Sequence, residues 1–163
     1  MADADPEQYE SSVANTLKCL ADTHDNLEEY EYASQCNEDA LDIYLRLAKD
    51  DPETYNEDLA YVLNNLAYDQ YQLDEYDSSE ANYLKALKIK RQLVQEDPEE
   101  YTSSLARTLV NYGNLESYID EDAKALKLYK EALEIYEQLE EDDPGEYEED
   151  IDEINEKLEE LEG

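Results

Sequence analysis

The chain has 163 residues, 47 of them acidic and 12 basic, so its formal net charge at pH 7 is −35. A surface of this sign repels nucleic-acid phosphates and anionic lipid headgroups, which excludes nucleic-acid binding and membrane-surface functions. Hydrophobic residues still make up 40% of the sequence. Because they recur at helical spacings, we expect a folded, very acidic protein and not a disordered one.

Composition and hydropathy also predict the cellular compartment, the oligomeric state and the redox state of the cysteines. We find no signal peptide and no apolar run long enough to span a bilayer, so we expect a cytoplasmic protein. The charge favours a solvated monomer. The two cysteines, Cys19 and Cys36, do not make a disulfide framework and are expected to be reduced.

Asp-Pro pairs recur along the chain at a constant interval. The chain's only prolines lie 46 residues apart: Pro6, Pro52, Pro98 and Pro144. A fixed period of this length indicates one supersecondary unit copied along the chain. Proline is favoured at the first position of a helix and the preceding Asp can cap the free N–H groups, so each pair predicts the start of a helix. The resulting segments are residues 5–50, 51–96 and 97–142 for three repeats, and 143–163 for a remnant.

Each repeat contains two amphipathic helical patterns, which we name helix A and helix B. The apolar residues of helix A lie three, four or seven apart: Val13, Leu17, Leu20 and Leu27; Leu59, Leu63, Leu66 and Leu73; and Leu105, Leu109, Tyr112 and Ile119. Helix B carries the pattern Ala-Leu-x-Ile, starting at Ala40, Ala86 and Ala132. The polar connection between the two helices is short, so each repeat is predicted to be an antiparallel hairpin.

The remnant is similar to a helix A with no helix B after it. It carries apolar residues on one helical face and carboxylates elsewhere: Ile151, Ile154, Leu158 and Leu161 form the apolar set. Because the last unit of a repeat array needs a polar outer face, the remnant is predicted to be a capping helix.

The second repeat carries a family motif, Asn65-Leu66-Ala67 followed by Tyr76, Tyr83 and Ala86-Leu87. With this motif the sequence resembles the tetratricopeptide repeat family, and its period is similar to that of the family's long-repeat members. The resemblance implies an all-α fold: an α-solenoid of three hairpins in a right-handed superhelix with a C-terminal capping helix, forming a single domain over residues 1–163. It also places small residues where paired helices touch: Ala21, Ala67 and Gly113.

The turn between helices A and B departs from the family pattern. Where the family usually has Gly, this chain has Glu28, Asp74 or Asp120. Asp adopts a left-handed backbone more readily than Glu, so we expect the first turn to be the least favourable. The even spacing of the repeats also suggests an engineered array, or one trimmed from a longer array.

The resemblance implies a non-enzymatic scaffold whose concave face, lined by helices A, holds an extended peptide. The three repeats agree at their leucines but differ along a second stripe of helix A, as residues that contact a ligand would. The implied groove residues are Asn15, Lys18, Asp22, Asp25 and Asn26; Tyr61, Asn64, Asn65, Tyr68, Tyr71 and Gln72; and Arg107, Asn111, Asn114, Ser117 and Tyr118.

Two ligand chemistries fit these groove residues. Lys18, Asn65 and Arg107 match the family's clamp for the terminal carboxylate of a peptide. Asp22 and Asn111 stand where the family usually has Asn and Arg, and both differences weaken anion binding. The acidic groove residues favour a peptide that carries Lys or Arg, on whose cation the groove tyrosines could stack.

Two other functions stay open. The chain could be a purely structural repeat scaffold with no ligand of its own. Alternatively, a polar residue interrupts the apolar stripe of every helix A, at His24, Gln70 and Glu116, and the three could form a buried network or a small-molecule pocket. No spacing matches a metal site and no catalytic motif is present, so we expect no enzyme, metal or cofactor.

Overall fold

The computed structural model describes residues 6–163 and shows an all-α protein over that range. Its seven helices are α1 (Pro6–Asp25), α2 (Tyr30–Asp50), α3 (Pro52–Gln72), α4 (Tyr76–Glu96), α5 (Pro98–Tyr118), α6 (Asp122–Asp142) and α7 (Glu148–Glu162). Helices α1, α3 and α5 are the predicted helices A, and α2, α4 and α6 are the predicted helices B. No helix within residues 6–163 is long and apolar enough to cross a membrane.

The Asp-Pro pairs start helices by side-chain capping. The carboxylate of Asp51 accepts a hydrogen bond from the N–H of Thr54 at 3.2 Å, and that of Asp97 accepts one from Glu100 at 3.2 Å. Pro52 and Pro98 are the first residues of α3 and α5. The predicted cap at Asp5 lies outside the described residues.

The prediction for the fourth pair is wrong, because Asp143-Pro144 does not start a helix. Helix α7 begins only at Glu148, after a turn in which Gly145 has a φ of +93°. The carboxylate of Glu140 accepts hydrogen bonds from the N–H groups of Gly145 and Tyr147. A left-handed residue two positions after the Asp is incompatible with a first helical turn, so the chain is diverted before it can form one.

The three A–B turns share one geometry. Glu28, Asp74 and Asp120 have φ values of 58°, 63° and 62°, which is the left-handed region. In the first turn Glu29 N–H donates to His24 C=O at 2.9 Å and Glu28 N–H to Asp25 C=O at 2.9 Å. Equivalent bonds close the other two turns. This paired pattern is the Schellman motif, in which Gly is the favoured left-handed residue.

The chain divides into two compact units, Met1–Ile89 and Lys90–Gly163. In the first, α1, α2 and α3 pack side by side around a core that includes Tyr44, Leu47 and Leu63. In the second, α6 packs on both α5 and α7, and the buried side chains include Tyr129 and Ile154. The predicted single domain over the whole chain stays a prediction.

The predicted small residues lie at close helix contacts. Ala21, Ala67, Ala40, Ala86 and Ala132 are fully buried. Gly113 lies against the ring of Tyr129 so closely that an added Cβ would stand 2.6 Å from Tyr129 Cε1. The repeated small residues therefore fix how closely helices A and B approach.

One predicted core stripe is not fully buried. Leu66 in α3 is 2% exposed, but its counterpart Leu20 in α1 is 43% exposed and Leu27 is 62% exposed. The repeated leucines are thus core residues in α3 and α5, whereas part of the α1 stripe faces solvent.

Candidate functional site

The candidate site in the first unit is centred on Asp22 of α1. Its Oδ1 accepts hydrogen bonds from Tyr61 Oη at 2.9 Å and from Asn65 Nδ2 at 3.1 Å, both on α3. Asn65 Oδ1 in turn accepts from Asn64 Nδ2 at 3.0 Å. Asp22, Tyr61 and Asn65 are half-buried, whereas Asn64 is buried. The structure therefore brings four predicted groove residues into one connected set.

Lys18 lies on the same stripe, one turn before Asp22. Its ammonium forms an ion pair with the Asp58 carboxylate, and both side chains are half-buried. The Nζ atom also lies 5.3 Å from the centroid of the Tyr61 ring, within range for a cation–π contact. Its positive charge is therefore already compensated by groups of α3.

A pair of carboxyl groups, Asp25 and Asp69, extends the site inward. The two side chains share a hydrogen bond, and Asn37 Nδ2 donates to Asp69 Oδ2 at 2.8 Å. Asp69 is fully buried, and burial, followed by the Asp25 bond, raises its pKa to about 9. Burial also raises the pKa of Asp25, although the hydrogen bond from Asp69 opposes this. At neutral pH Asp69 is therefore protonated and donates to Asp25.

Two groove tyrosines of α3 lie against rings from helices B, Tyr68 edge-on and Tyr71 tilted at 47°. Tyr68 lies 6.1 Å from the ring of Tyr30 at an interplanar angle of 74°, and Tyr71 lies 6.4 Å from the ring of Tyr76. Burial, with a hydrogen bond to Tyr30, raises the pKa of Tyr68 to about 12. Both Tyr68 and Tyr71 are half-buried, so each keeps part of its ring open to solvent.

The remaining predicted residues of the first unit lie at its solvent-facing edge. Asn15 is exposed and accepts a hydrogen bond from Tyr44 Oη at 3.0 Å. Asn26 is exposed and donates to the backbone C=O of Asp22 at 2.7 Å. Gln72 is half-buried. Of these three side chains, that of Asn26 is hydrogen-bonded to the central set, through the backbone C=O of Asp22.

In the second unit, the basic residue among the predicted groove residues of α5 is Arg107. Arg107 is exposed and lines a cavity of about 300 Å³ with Tyr136, Tyr147 and Asp150. Burial raises the pKa of the Asp150 carboxyl and neighbouring carboxylates add to the rise, whereas the positive charge of Arg107 opposes it. Arg107 therefore lies beside a carboxylate of the capping helix.

The other predicted groove residues of α5 differ in solvent exposure. Tyr118 is exposed, and Asn111, Asn114 and Ser117 are half-buried. Asn114 Oδ1 accepts a hydrogen bond from Tyr129 Oη at 2.8 Å, which ties it to α6.

The polar residues that interrupt the leucine stripe each find a partner within their own hairpin. His24 Nδ1 lies 2.6 Å from Glu29 Oε2, Gln70 Oε1 accepts from Asn82 Nδ2 at 2.9 Å, and Glu116 Oε2 lies 3.3 Å from Lys124 Nζ. Gln70 and Glu116 are buried, whereas His24 is half-buried. Nothing in these contacts favours a shared pocket.

The sequence reasoning missed Asn37, which holds the buried carboxyl pair. A signal was present: Asn37 stands where the other two repeats have Tyr83 and Tyr129. An amide at a position otherwise kept for a large buried ring indicates a polar partner across the helix interface.

Over 6–163 no group of three or more His, Cys, Asp or Glu side chains is arranged to hold a metal ion. Both cysteines are free thiols.

The hairpins, their left-handed turns and the small residues between paired helices define a helical-repeat protein. Residues 58–138 match the model of a family described as tetratricopeptide repeat. The chain belongs to the tetratricopeptide repeat family, as its motif predicted.

Solved structures share this fold. The chain is 21% identical to BtubC (BKLC) from P. vanneervenii, with a TM-score of 0.77, over 99% of this chain and 58% of that one. It is 17% identical to the N-terminal domain of stress-induced protein-1 (STI-1) from C. elegans, with a TM-score of 0.63, over 94% of this chain and 98% of that one. The chain thus spans less than two thirds of the BtubC chain. A search of curated protein sequences found no match.

Proposed function

We propose that the chain is a non-enzymatic scaffold whose first unit binds an extended peptide carrying Lys or Arg along α1 and α3. Membership of a family whose repeats mediate protein and peptide binding supports the general class. The observation that carries the specific proposal is the set around Asp22, where Tyr61 and Asn65 both donate to one carboxylate oxygen, Oδ1.

The charges of this set favour a cationic ligand. Asp22 and Asp25 lie on the same stripe of α1, and the only basic groove residue of this unit, Lys18, is paired with Asp58. The stripe therefore carries a net negative charge that its own lysine does not balance. A ligand ammonium or guanidinium would meet a carboxylate already fixed by two donors, so little side-chain entropy would be lost on binding.

The same contacts argue against a clamp for a terminal carboxylate. An anion that approaches Lys18 would compete with Asp58. An anion near Arg107 would meet Asp150, which lines the same cavity. Each of the two cations that the clamp requires thus lies beside a protein carboxylate, and displacing it would cost the binding energy of that contact.

The test is a titration with short amidated peptides that contain Lys, against the same peptides with acetyl-lysine, followed by tyrosine fluorescence. We expect the Lys peptides to bind at least about tenfold more tightly. Asp22→Asn should weaken this binding about as much, because the amide still accepts from Tyr61 and Asn65 but carries no charge. Asp39→Asn is the matched control, since Asp39 is an exposed carboxylate on α2, and should leave binding unchanged.

Three outcomes would contradict the proposal. Equal losses in the two variants would show non-specific attraction to the overall negative charge. Tighter binding of peptides with a free terminal carboxylate would favour the clamp. No binding at high micromolar concentration would favour a structural scaffold without a ligand.

A further inference from the structure

One face of α1 exposes apolar side chains at positions that the equivalent helices bury. At the position of Leu20, α3 has Leu66 and α7 has Leu158. Their exposed fractions are 43% for Leu20, 2% for Leu66 and 8% for Leu158. One turn earlier, Thr16 is exposed whereas its counterparts in α3 and α7, Val62 and Ile154, are buried.

Within each unit a preceding helix B covers this position. In the first unit, Val62 of α3, the counterpart of Thr16, belongs to one buried cluster with Tyr44 and Leu47 of α2. In the second unit, α7 packs on α6 and buries Ile154. The covering surface is in both cases the apolar face of an amphipathic helix B. In α1, by contrast, both positions, Thr16 and Leu20, are exposed.

Exposed and half-buried side chains of α1 and of the turn after it form one surface, which we name the α1 outer face. Those on α1 follow each other at helical spacing, Leu27 lies in the turn after α1, and Tyr32 of α2 joins them because its ring centroid lies 5.4 Å from that of His24. The set is Tyr9, Val13, Leu20, His24, Leu27 and Tyr32. Tyr9, Leu27 and Tyr32 are each more than 60% exposed, which is unusual for large apolar side chains grouped on one face.

Carboxylates border the α1 outer face at the turn between α1 and α2. Glu28, Glu29 and Glu31 are all exposed. With a chain charge of −35, a second copy of this chain would be repelled, and a partner with basic residues at its edges would be attracted.

We propose that the α1 outer face binds an amphipathic helix of another protein. That helix has Leu, Ala and Tyr on one face, as the covering helices B of this chain do, and Lys or Arg at the edges of that face. Its apolar residues would cover Leu20 and Leu27, and its cations would meet the carboxylates of the first turn. This surface is separate from the set around Asp22, so the two proposals fail independently.

A segment of the chain itself provides the probe. The sequence of α4 (Tyr76–Glu96) has the helix B pattern, with basic residues at 85, 88, 90 and 91 and acidic residues at 77, 80 and 96, so its net charge is four minus three, or +1. A dye-labelled peptide of this sequence with blocked ends is titrated with the full chain at low salt and followed by fluorescence anisotropy.

We expect saturable binding of this peptide, and at least a tenfold loss of affinity in Leu20→Glu/Leu27→Glu. Leu45→Glu/Leu84→Glu is the control: Leu45 on α2 and Leu84 on α4 are each 51% exposed and lie outside the α1 outer face, so this variant adds the same two negative charges elsewhere. All variants are first compared by far-ultraviolet circular dichroism, and their melting curves should agree with that of the wild type.

Three results would overturn the proposal. The first is no binding of the peptide to the wild-type chain at high micromolar concentration. The second is an equal loss of affinity in the Leu45→Glu/Leu84→Glu control, which would show that added charge alone weakens binding. The third is self-association of the wild type in sedimentation velocity that Leu20→Glu/Leu27→Glu abolishes, which would make a second copy the occupant.

Discussion

Asp69 on α3 donates a hydrogen bond from its protonated carboxyl group to Asp25 at the end of α1. The bond joins two groups that would repel each other if both were ionised, and Asn37 of α2 fixes the far oxygen of Asp69. Hydrogen bonds among these three side chains therefore link α1, α2 and α3. Because the folded state keeps this proton to a higher pH than the unfolded chain does, the contribution of Asp69 to stability falls as pH rises.

We expect Asp69→Asn to stabilise the protein above neutral pH. Burial and the Asp25 bond raise the folded-state pKa of Asp69 to about 9. The unfolded chain loses this proton near pH 4 and the folded chain keeps it, so the contribution of Asp69 to stability falls as pH rises from about 4 to about 9 and is constant above. The amide keeps a donor towards Asp25 and carries no such penalty.

The measurement is the free energy of unfolding by urea at a series of pH values. The variant should gain up to about 5 kcal/mol over the wild type at pH 8, about 1.4 kcal/mol for each pH unit above 4, and show little difference at pH 4. Asp39→Asn, which changes an exposed carboxylate on α2, should not reproduce this dependence. A difference between Asp69→Asn and the wild type that stays constant from pH 4 to pH 9 would contradict the shared proton.

The first A–B turn offers a second prediction, because Glu28 has a φ of 58° in a turn that favours Gly. Glu28→Gly should stabilise the protein by about 1 kcal/mol, since it removes the contact of Cβ with the backbone. Asp74→Gly should gain less, about 0.5 kcal/mol, because Asp tolerates the left-handed region better.

The control for Glu28→Gly separates strain from charge. Glu28→Gln keeps the strained backbone and removes the same negative charge, so it should recover only the electrostatic part of the gain. Thermal melts of the three variants at low and high salt make the comparison. If Gln and Gly stabilise equally, the backbone of this turn is not strained.

The third prediction concerns the helix caps. Asp51→Ala and Asp97→Ala each remove a carboxylate that accepts from a backbone N–H at 3.2 Å, so each should cost about 1 kcal/mol. Asp143→Ala is the internal control, because its pair does not start a helix and α7 begins only at Glu148. Urea denaturation of the three alanine variants should separate the first two from the third; equal costs would mean that the caps are not what stabilises these helix starts.

The sequence predicted the repeated parts of this structure well, because each pattern could be compared at equivalent positions of three repeats. Leucines, alanines and Asp-Pro pairs recur at the same positions of the three repeats, and they predicted the hairpins, the turns and the close contacts. The structure agrees at the buried Ala67 and at the left-handed Asp74. The family motif at Asn65-Leu66-Ala67 pointed to the right family for the same reason.

The deviations from the repeat were predicted less well, because each depends on neighbours that a single copy does not reveal. Gly145 diverts the fourth Asp-Pro pair, since one flexible residue is enough to bend the chain away from a first helical turn. Leu20 is a core residue by pattern, but it is 43% exposed. The proton between Asp25 and Asp69 depends on burial, which spacing does not reveal.

The last prediction tests the close contact between α5 and α6. An added Cβ at Gly113 would lie 2.6 Å from Cε1 and 2.9 Å from Cδ1 of Tyr129. That ring cannot move away easily, because it is buried and its hydroxyl donates to Asn114. Gly113→Ala gains about 1 kcal/mol of helix propensity but should still destabilise the protein by about 1–2 kcal/mol net.

A double-mutant cycle reveals whether the ring is the cause. In a Tyr129→Ala background the clash is absent, so Gly113→Ala should now stabilise the protein by about 1 kcal/mol through helix propensity alone. The sign of the Gly113→Ala effect should thus reverse between the two backgrounds when unfolding is followed by circular dichroism in urea. If Gly113→Ala destabilises both backgrounds equally, another neighbour of Gly113 sets the distance between α5 and α6, because a clash with Tyr129 cannot act when its ring is gone.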